Sequence, residues 1–172
     1  MKDQALQRVS DRISAHLSSA AKADASTHCV TEDIDEFQLS LDSVFYPANI
    51  DLLGEQNRVS RAELYAVRLE YLTIGLTRFG HEVSIDVGDL GSYHVNVPVS
   101  GHAVSLCGER RMIATPECGA VFTPHEHSLI PLWGADATQI CIKIDRAGLE
   151  SELAHILVTP STSTSASISR WI

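Results

Sequence analysis

The chain contains no apolar run near the roughly 18 residues that would suggest a membrane span, and its first 20 residues are no targeting signal either. Asp3 and Asp11 are mixed there with Lys2, Arg8 and Arg12, which fits neither a secretory nor a transit peptide. Positive charge is scarce. Thirteen Lys and Arg stand against 22 Asp and Glu, a net charge of -9, so this chain is not itself the part that grips nucleic acid. The deficit is uneven: residues 1–55 carry four basic and ten acidic side chains, a net of -6, leaving -3 for the rest. The N-terminal third therefore reads as a solvated acidic face rather than a basic arm. Cysteine is present without pairing signals. Cys29, Cys107, Cys118 and Cys141 show no CxxC spacing and have strand-like neighbours, so they read as small apolar residues in a reducing cytosol. The chemistry of common enzyme motifs is missing too. There is no GxSxG elbow, no GxGxxG, no Walker A loop and no cysteine–histidine pair at a family spacing. No internal repeat of solenoid period exists.

What remains is a soluble globular composition, 44% hydrophobic and 20% charged, in 172 residues, enough for one domain with a real core. Leu6, Val9, Ile13 and Leu17 recur at helical spacing and predict an amphipathic helix over 4–22. Residues 22–27 (KADAST) have linker composition. Thr31 is the expected N-cap of a second helix carrying Ile34, Phe37, Leu41 and Val44, which Pro47 stops. From Arg61 onward the pattern is β. Residues 63–77 predict one long strand or two joined by a bend. Further strands follow over 82–87, 93–99, 102–107, 111–114, 120–123, 128–133 and 138–144, with turns at 78–80, 108–109 and 116–119. Roughly eight short strands at this spacing predict a closed or sandwiched β architecture rather than βαβ units. Asp145 can cap a last helix presenting Leu149, Leu153, Ile156 and Leu157 on one face, and the Ser/Thr-rich residues 161–167 after Pro160 read as linker.

The most informative segment is 93–101 (YHVNVPVSG). Tyr93, Val95, Val97 and Val99 form an apolar face built to pack, and His94, Asn96 and Pro98 form the other. His94 and Asn96 share a face, so together they line a cavity or sit in a solvated or helix-covered layer. Arg68 interrupts an apolar alternating strand. It lies on a wet face, or it points inward, where a carboxylate ligand would be its bidentate partner. Tyr71, Tyr93 and Trp133 are core aromatics or pocket lining. Eight histidines raise the question of a metal, and His125-Glu126-His127 is an HxH arrangement. Metal-binding cupins follow such a pair with a Glu within a few residues, and 128–133 (SLIPLW) offers none, so no metal ligand, cofactor or catalytic residue is assigned.

Five segments in order resemble the ligand-binding domain of AraC/XylS-type transcription regulators, the AraC-binding-like cupin variant. They are 31–37 (TEDIDEF) running to Pro47, the strand around 69–72, 93–101, 115–124 (TPECGAVFTP) and 139–157 (QICIKIDRAGLESELAHIL). The turn at Pro116 differs in carrying Glu-Cys before Gly119, and residues 1–22 lie outside the match.

The resemblance implies a mainly β fold with flanking helices: a cupin-like β-barrel (double-stranded β-helix) preceded by two helices and followed by a C-terminal helix. It implies an N-terminal helix and linker (1–27), an effector-binding and dimerisation domain (28–158) and a linker (159–172) leading to a helix-turn-helix domain absent from this chain. The implied protein is a bacterial, cytoplasmic, non-enzymatic sensor. It takes a small organic effector (an aromatic acid, sugar or fatty acid), forms a homodimer, touches no membrane and reaches DNA only through that missing domain. The expected ligand-binding residues are Arg68, Tyr71, Tyr93, His94, Asn96 and Trp133, with Leu149, Leu153 and Ile156 as the dimer or relay surface. A cupin-type metalloenzyme using His125 and His127, and a ligand-free dimerisation module, are the alternatives.

Overall fold

The computed structural model describes residues 26–55 and 58–158. The helix expected over 4–22 lies outside them. The described residues form eleven strands in two antiparallel sheets. The first, in spatial order, is β1 (Ser26–Thr31), β3 (Ala62–Arg68), β4 (Leu72–Arg78), β11 (Thr138–Ile144), β6 (Tyr93–Ser100) and β9 (Ala120–Phe122). The second is β2 (Asn49–Leu52), β5 (Val83–Asp89), β10 (His127–Trp133), β7 (Ala103–Cys107) and β8 (Arg110–Ala114). Among the described residues strand pairing does not join the sheets, so they form an open sandwich rather than a closed cylinder.

Period-2 alternation places most strands where the sequence predicts them, and 63–77 resolves into the hairpin β3–β4, with Arg68 paired to Thr73. Two strands were not expected. β1 begins at Ser26, inside the stretch of linker composition, and pairs along its whole length with β3. The short edge strand β2 pairs with β5. Neither has an apolar face strong enough to announce itself, and each is specified by the neighbour it pairs with.

Helix α1 (Ile34–Val44) is capped by Asp33, not Thr31: Asp33 Oδ1 accepts from the amides of Asp35 and Glu36 at 2.9 and 3.2 Å. Thr31 instead ends β1, and its hydroxyl accepts from the Asp33 amide while donating to Glu36. The inward face of α1 buries Phe37 edge-on against Phe79, which meets Trp133 the same way, with ring centroids 5.2 and 5.1 Å apart. All three rings are buried, which ties α1 to both sheets. Burying each such side chain stabilises the fold by about 1.5–3 kcal/mol. Helix α2 (Arg146–Val158) starts at Asp145, whose carboxylate accepts from the Gly148 amide at 2.8 Å.

Strand β6 reverses the polarity its pattern suggests. His94, Asn96 and Pro98 are the buried face, while Tyr93, Val95, Val97 and Val99 are only half-buried on the outside. Its neighbour β11 does the same, burying Gln139 and Cys141 inward with Ile140 and Ile142 outward. The centre of the first sheet thus lines the interior with polar side chains.

Candidate functional site

Between the sheets lies a pocket of about 80 Å³. The first sheet contributes Thr77, His94, Asn96, Phe122 and Cys141, and the second contributes Ile50, Ile85, Val87, Ser128, Ile130 and Trp133. Leu41 of α1 and the residues after it, Phe45 and Tyr46, cover one side.

That cover is held from several directions. Gln38 Nε2 donates to the Ala48 carbonyl at 2.7 Å, and Asp42 Oδ1 accepts from the Ala48 amide at 3.2 Å, folding the chain back on α1 after Pro47. Partial burial holds the Asp42 carboxyl above its usual range, against the lowering by the Ala48 amide. Phe45 rests against β4 where Gly75 has no side chain: a Cβ there would lie 2.8 Å from the ring. Lys143 Nζ donates to the Phe45 carbonyl at 2.6 Å and stands 4.3 Å from the centroid of the Tyr46 ring.

His94 is the centre of the site. Its ring meets Phe45, Tyr46 and Phe122 edge-on at 5.8, 5.6 and 5.9 Å, and its Nε2 is 2.8 Å from Asn96 Oδ1. Burial pushes its pKa down to about 4, Lys143 adds to the lowering, and the Asn96 contact partly opposes it. The imidazole is therefore neutral at pH 7. With Asn96 Oδ1 accepting, Nε2 carries the proton and Nδ1 holds a lone pair. Nδ1 is buried and has no hydrogen-bond partner. Burial also pushes the Tyr46 phenol up, and the Cys141 thiol up to about 12, so both stay protonated.

Of the six expected ligand-binding residues, the structure gathers His94, Asn96 and Trp133 around the pocket. Trp133 Nε1 donates to the Ala137 carbonyl at 3.1 Å, so it offers the pocket its ring rather than its N–H. The other three lie elsewhere. Arg68 is exposed at the end of β3 and donates to the Ser43 carbonyl at 2.7 Å, anchoring the end of α1. Tyr71 is exposed in the β3–β4 turn, its ring against the Cα of Gly148. Tyr93 faces outward from β6. Sequence reasoning missed Phe45 and Tyr46, reading Pro47 only as a helix stop. It also missed Thr77, Phe122 and Cys141, whose inward parity follows from strand pairing.

The HxH segment leads into β10, which begins at His127. His127 Nε2 pairs with Asp86 at 3.0 Å, and Glu126 turns to Thr123 and Arg110, which hold its carboxyl below the usual range. Among the described residues, no three His, Cys, Asp or Glu side chains come together in a way that could hold a metal ion. Nor is any described helix long and apolar enough to cross a membrane.

Residues 39–167 match the AraC-binding-like domain family. The chain is 31% identical over 128 residues to a probable thc operon regulatory protein of Rhodococcus erythropolis. The alignment covers 73% of this chain but only 38% of that protein, so the chain spans well under half of its relative's length. Among solved structures it is similar to the AraC-like transcriptional activator CuxR, with a TM-score of 0.52 at 14% identity, covering 76% of this chain and 52% of that one. A cupin superfamily protein of Desulfitobacterium hafniense matches at TM-score 0.43 and 16% identity, covering 52% of this chain and 83% of that one. On the family match and the related regulator, the chain belongs to the AraC-binding-like domain family.

Proposed function

We propose that this chain is the effector-sensing and dimerisation part of a bacterial transcription regulator that works in the cytoplasm. A small organic molecule enters the pocket between the sheets. Its occupancy is passed to a DNA-binding region elsewhere in the full-length protein. The observation that carries this reading is an apolar pocket between the sheets whose lining includes His94, a buried imidazole with no hydrogen-bond partner at Nδ1. An unpaired buried polar atom costs stability, and a ligand that pairs with it recovers that cost.

The lining suits binding rather than catalysis. It contains no carboxylate, the Cys141 thiol is held protonated, and the Ser128 hydroxyl donates to the Glu126 carbonyl. The relay has a covalent path. Strand β11 puts Cys141 in the pocket wall, Lys143 under the Phe45–Tyr46 cover and Asp145 at the start of α2 within five residues. On α2, Leu153, Ile156 and Leu157 are 46, 69 and 82% exposed, which suits a surface completed by a second copy. A ligand shifts the regulator only if it binds one arrangement of cover and helix better than the other.

Thermal unfolding of the chain across small alcohols, amides, acids and sugars is the test. A pocket ligand raises the midpoint with concentration, by an amount set by the ratio of free ligand to Kd. If nothing stabilises the chain at millimolar concentration, the sensing reading fails and the ligand-free dimerisation module replaces it.

A further inference from the structure

The chemistry of the lining selects the class of ligand, an inference that rests on the sensing reading above. Every residue lining the pocket is uncharged at pH 7. Arg68, the cation expected to meet a carboxylate, is committed to the Ser43 carbonyl outside, and Lys143 to the Phe45 carbonyl. An anion would be stripped of water with no charged partner, a cost far above that of a neutral polar group. A cation fares no better: it would meet no carboxylate in the lining, and the Tyr46 ring already has the Lys143 ammonium over it.

Three polar atoms of the lining side chains are buried without a good partner. His94 Nδ1, Tyr46 Oη and Thr77 Oγ1 make no hydrogen bond of good geometry, with Ser92 beside the tyrosine and Cys141 beside the threonine. The two hydroxyls can donate or accept. The imidazole nitrogen, with Nε2 holding the proton against Asn96, can only accept. The size is bounded as well, since about 80 Å³ is well below the roughly 300–1,000 Å³ of sites for drug-sized ligands.

We infer that the pocket takes a small neutral, mostly apolar molecule, of single-ring size, whose one essential polar feature is a hydroxyl or amide N–H donated to His94 Nδ1. Carboxylates, the class that an inward Arg68 would have served, are excluded. So are sugars, whose several hydroxyls outnumber the partners present.

Phenol, toluene and benzoate share a ring and differ at one group, which makes them the probes. Their Kd values are measured by calorimetry at pH 7 on the 172-residue chain and on His94→Leu and His94→Gln variants. The wild type binds phenol more tightly than toluene and shows no benzoate binding at concentrations that saturate it with phenol. His94→Leu loses about tenfold or more in the phenol-to-toluene ratio, the worth of one buried hydrogen bond. His94→Gln, which keeps an acceptor, retains most of the phenol preference and guards against a folding defect. Benzoate binding as tightly as phenol, or a phenol-to-toluene ratio unchanged in His94→Leu, overturns the ligand class while leaving the pocket a binding site. Failure of all three probes on the wild type overturns the ligand class, while the sensing reading stands or falls on the wider thermal panel.

Discussion

Lys143 and Phe45 are 98 positions apart, yet the lysine ammonium donates to the phenylalanine carbonyl at 2.6 Å. The bond closes the C-terminal end of α1, a helix with no basic residue in its own last turn. Arg68 does the same from β3, through the Ser43 carbonyl. Helix C-termini carry unpaired carbonyls and partial negative charge, which cations satisfy. Here both cations come from the sheet. The cover of the pocket is thus fastened to the wall that also contains Cys141 and leads into α2.

The two anchors differ in burial, and that difference predicts an order. Lys143 is partly buried, with burial first and then Arg68 lowering its pKa, whereas Arg68 is exposed. Lys143→Met should lower the unfolding free energy by about 1–3 kcal/mol, the range for a hydrogen bond to a charged group. Arg68→Met should cost less than about 1 kcal/mol, as exposed charged contacts do. Urea denaturation of both variants checks the order. A larger loss at Arg68 would mean that the cover is fastened from β3 instead.

His94 predicts an acid sensitivity with a definite sign. Its pKa is about 4 in the folded protein against 6.5 for an unperturbed histidine. Between those values the unfolded chain binds a proton that the folded chain does not, so stability rises with pH. The contribution is intact above about pH 6.5 and is lost progressively towards pH 4, roughly 3 kcal/mol in all. The groups around the ring are Lys143, Asn96, Tyr46, Phe45 and Phe122, and none is an acid that would offset the imidazolium charge in this window. Urea titrations from pH 7 to pH 4 should show this fall in the wild type and a slope shallower by that amount in His94→Gln. Parallel slopes would show that the imidazole ionises as freely folded as unfolded.

Much of the fold was legible because period-2 alternation and turn residues specify strands locally. Strand β11 starts and stops where the pattern over 138–144 places it, and α2 starts at its Asp145 cap. Which face of a strand points inward was not legible. The run of valines in β6 looked like the packed face, but the sheet centre buries His94 and Asn96 because they pair with each other at 2.8 Å. Hydrogen bonding between neighbours removes the penalty that keeps such residues out of most interiors. Arg68 shows the same limit. Its apolar flanks fit an inward or an outward arginine equally, and only the nearness of the α1 carbonyls decides. The cover was hidden for a third reason. Phe45 and Tyr46 leave a helix end and are placed by Gly75 and Lys143, which lie 30 and 98 residues further on.

The exposed apolar side chains of α2 predict an assembly effect separable from folding. Leu153→Ser with Ile156→Ser should leave the monomer's stability within about 0.5 kcal/mol, as surface substitutions do. It should weaken self-association by about tenfold or more, read by sedimentation equilibrium. Unchanged association, or none in the unsubstituted chain, would rule out this helix as the proposed dimer contact.

Gly75 and Phe45 give the sharpest test of the cover, because the contact is purely steric. A Cβ at Gly75 would lie 2.8 Å from Phe45 Cζ, 3.1 Å from Cε2 and 3.2 Å from the Tyr65 carbonyl oxygen. The strand cannot retreat, since β4 is paired on both sides, to β3 and β11. The ring must therefore move, and Gly75→Ala should destabilise by about 1–3 kcal/mol, the cost of overpacking a filled interior. Phe45→Leu alone should also destabilise, by removing ring contacts with His94. The double variant should lose less than the sum of the two, because leucine withdraws the atoms that the new methyl would strike. Coupling of about 0.5–3 kcal/mol of that sign is expected for residues in contact. Strict additivity in a urea-based double-mutant cycle would mean that Phe45 does not rest on β4 in solution, and the pocket would then lack its cover.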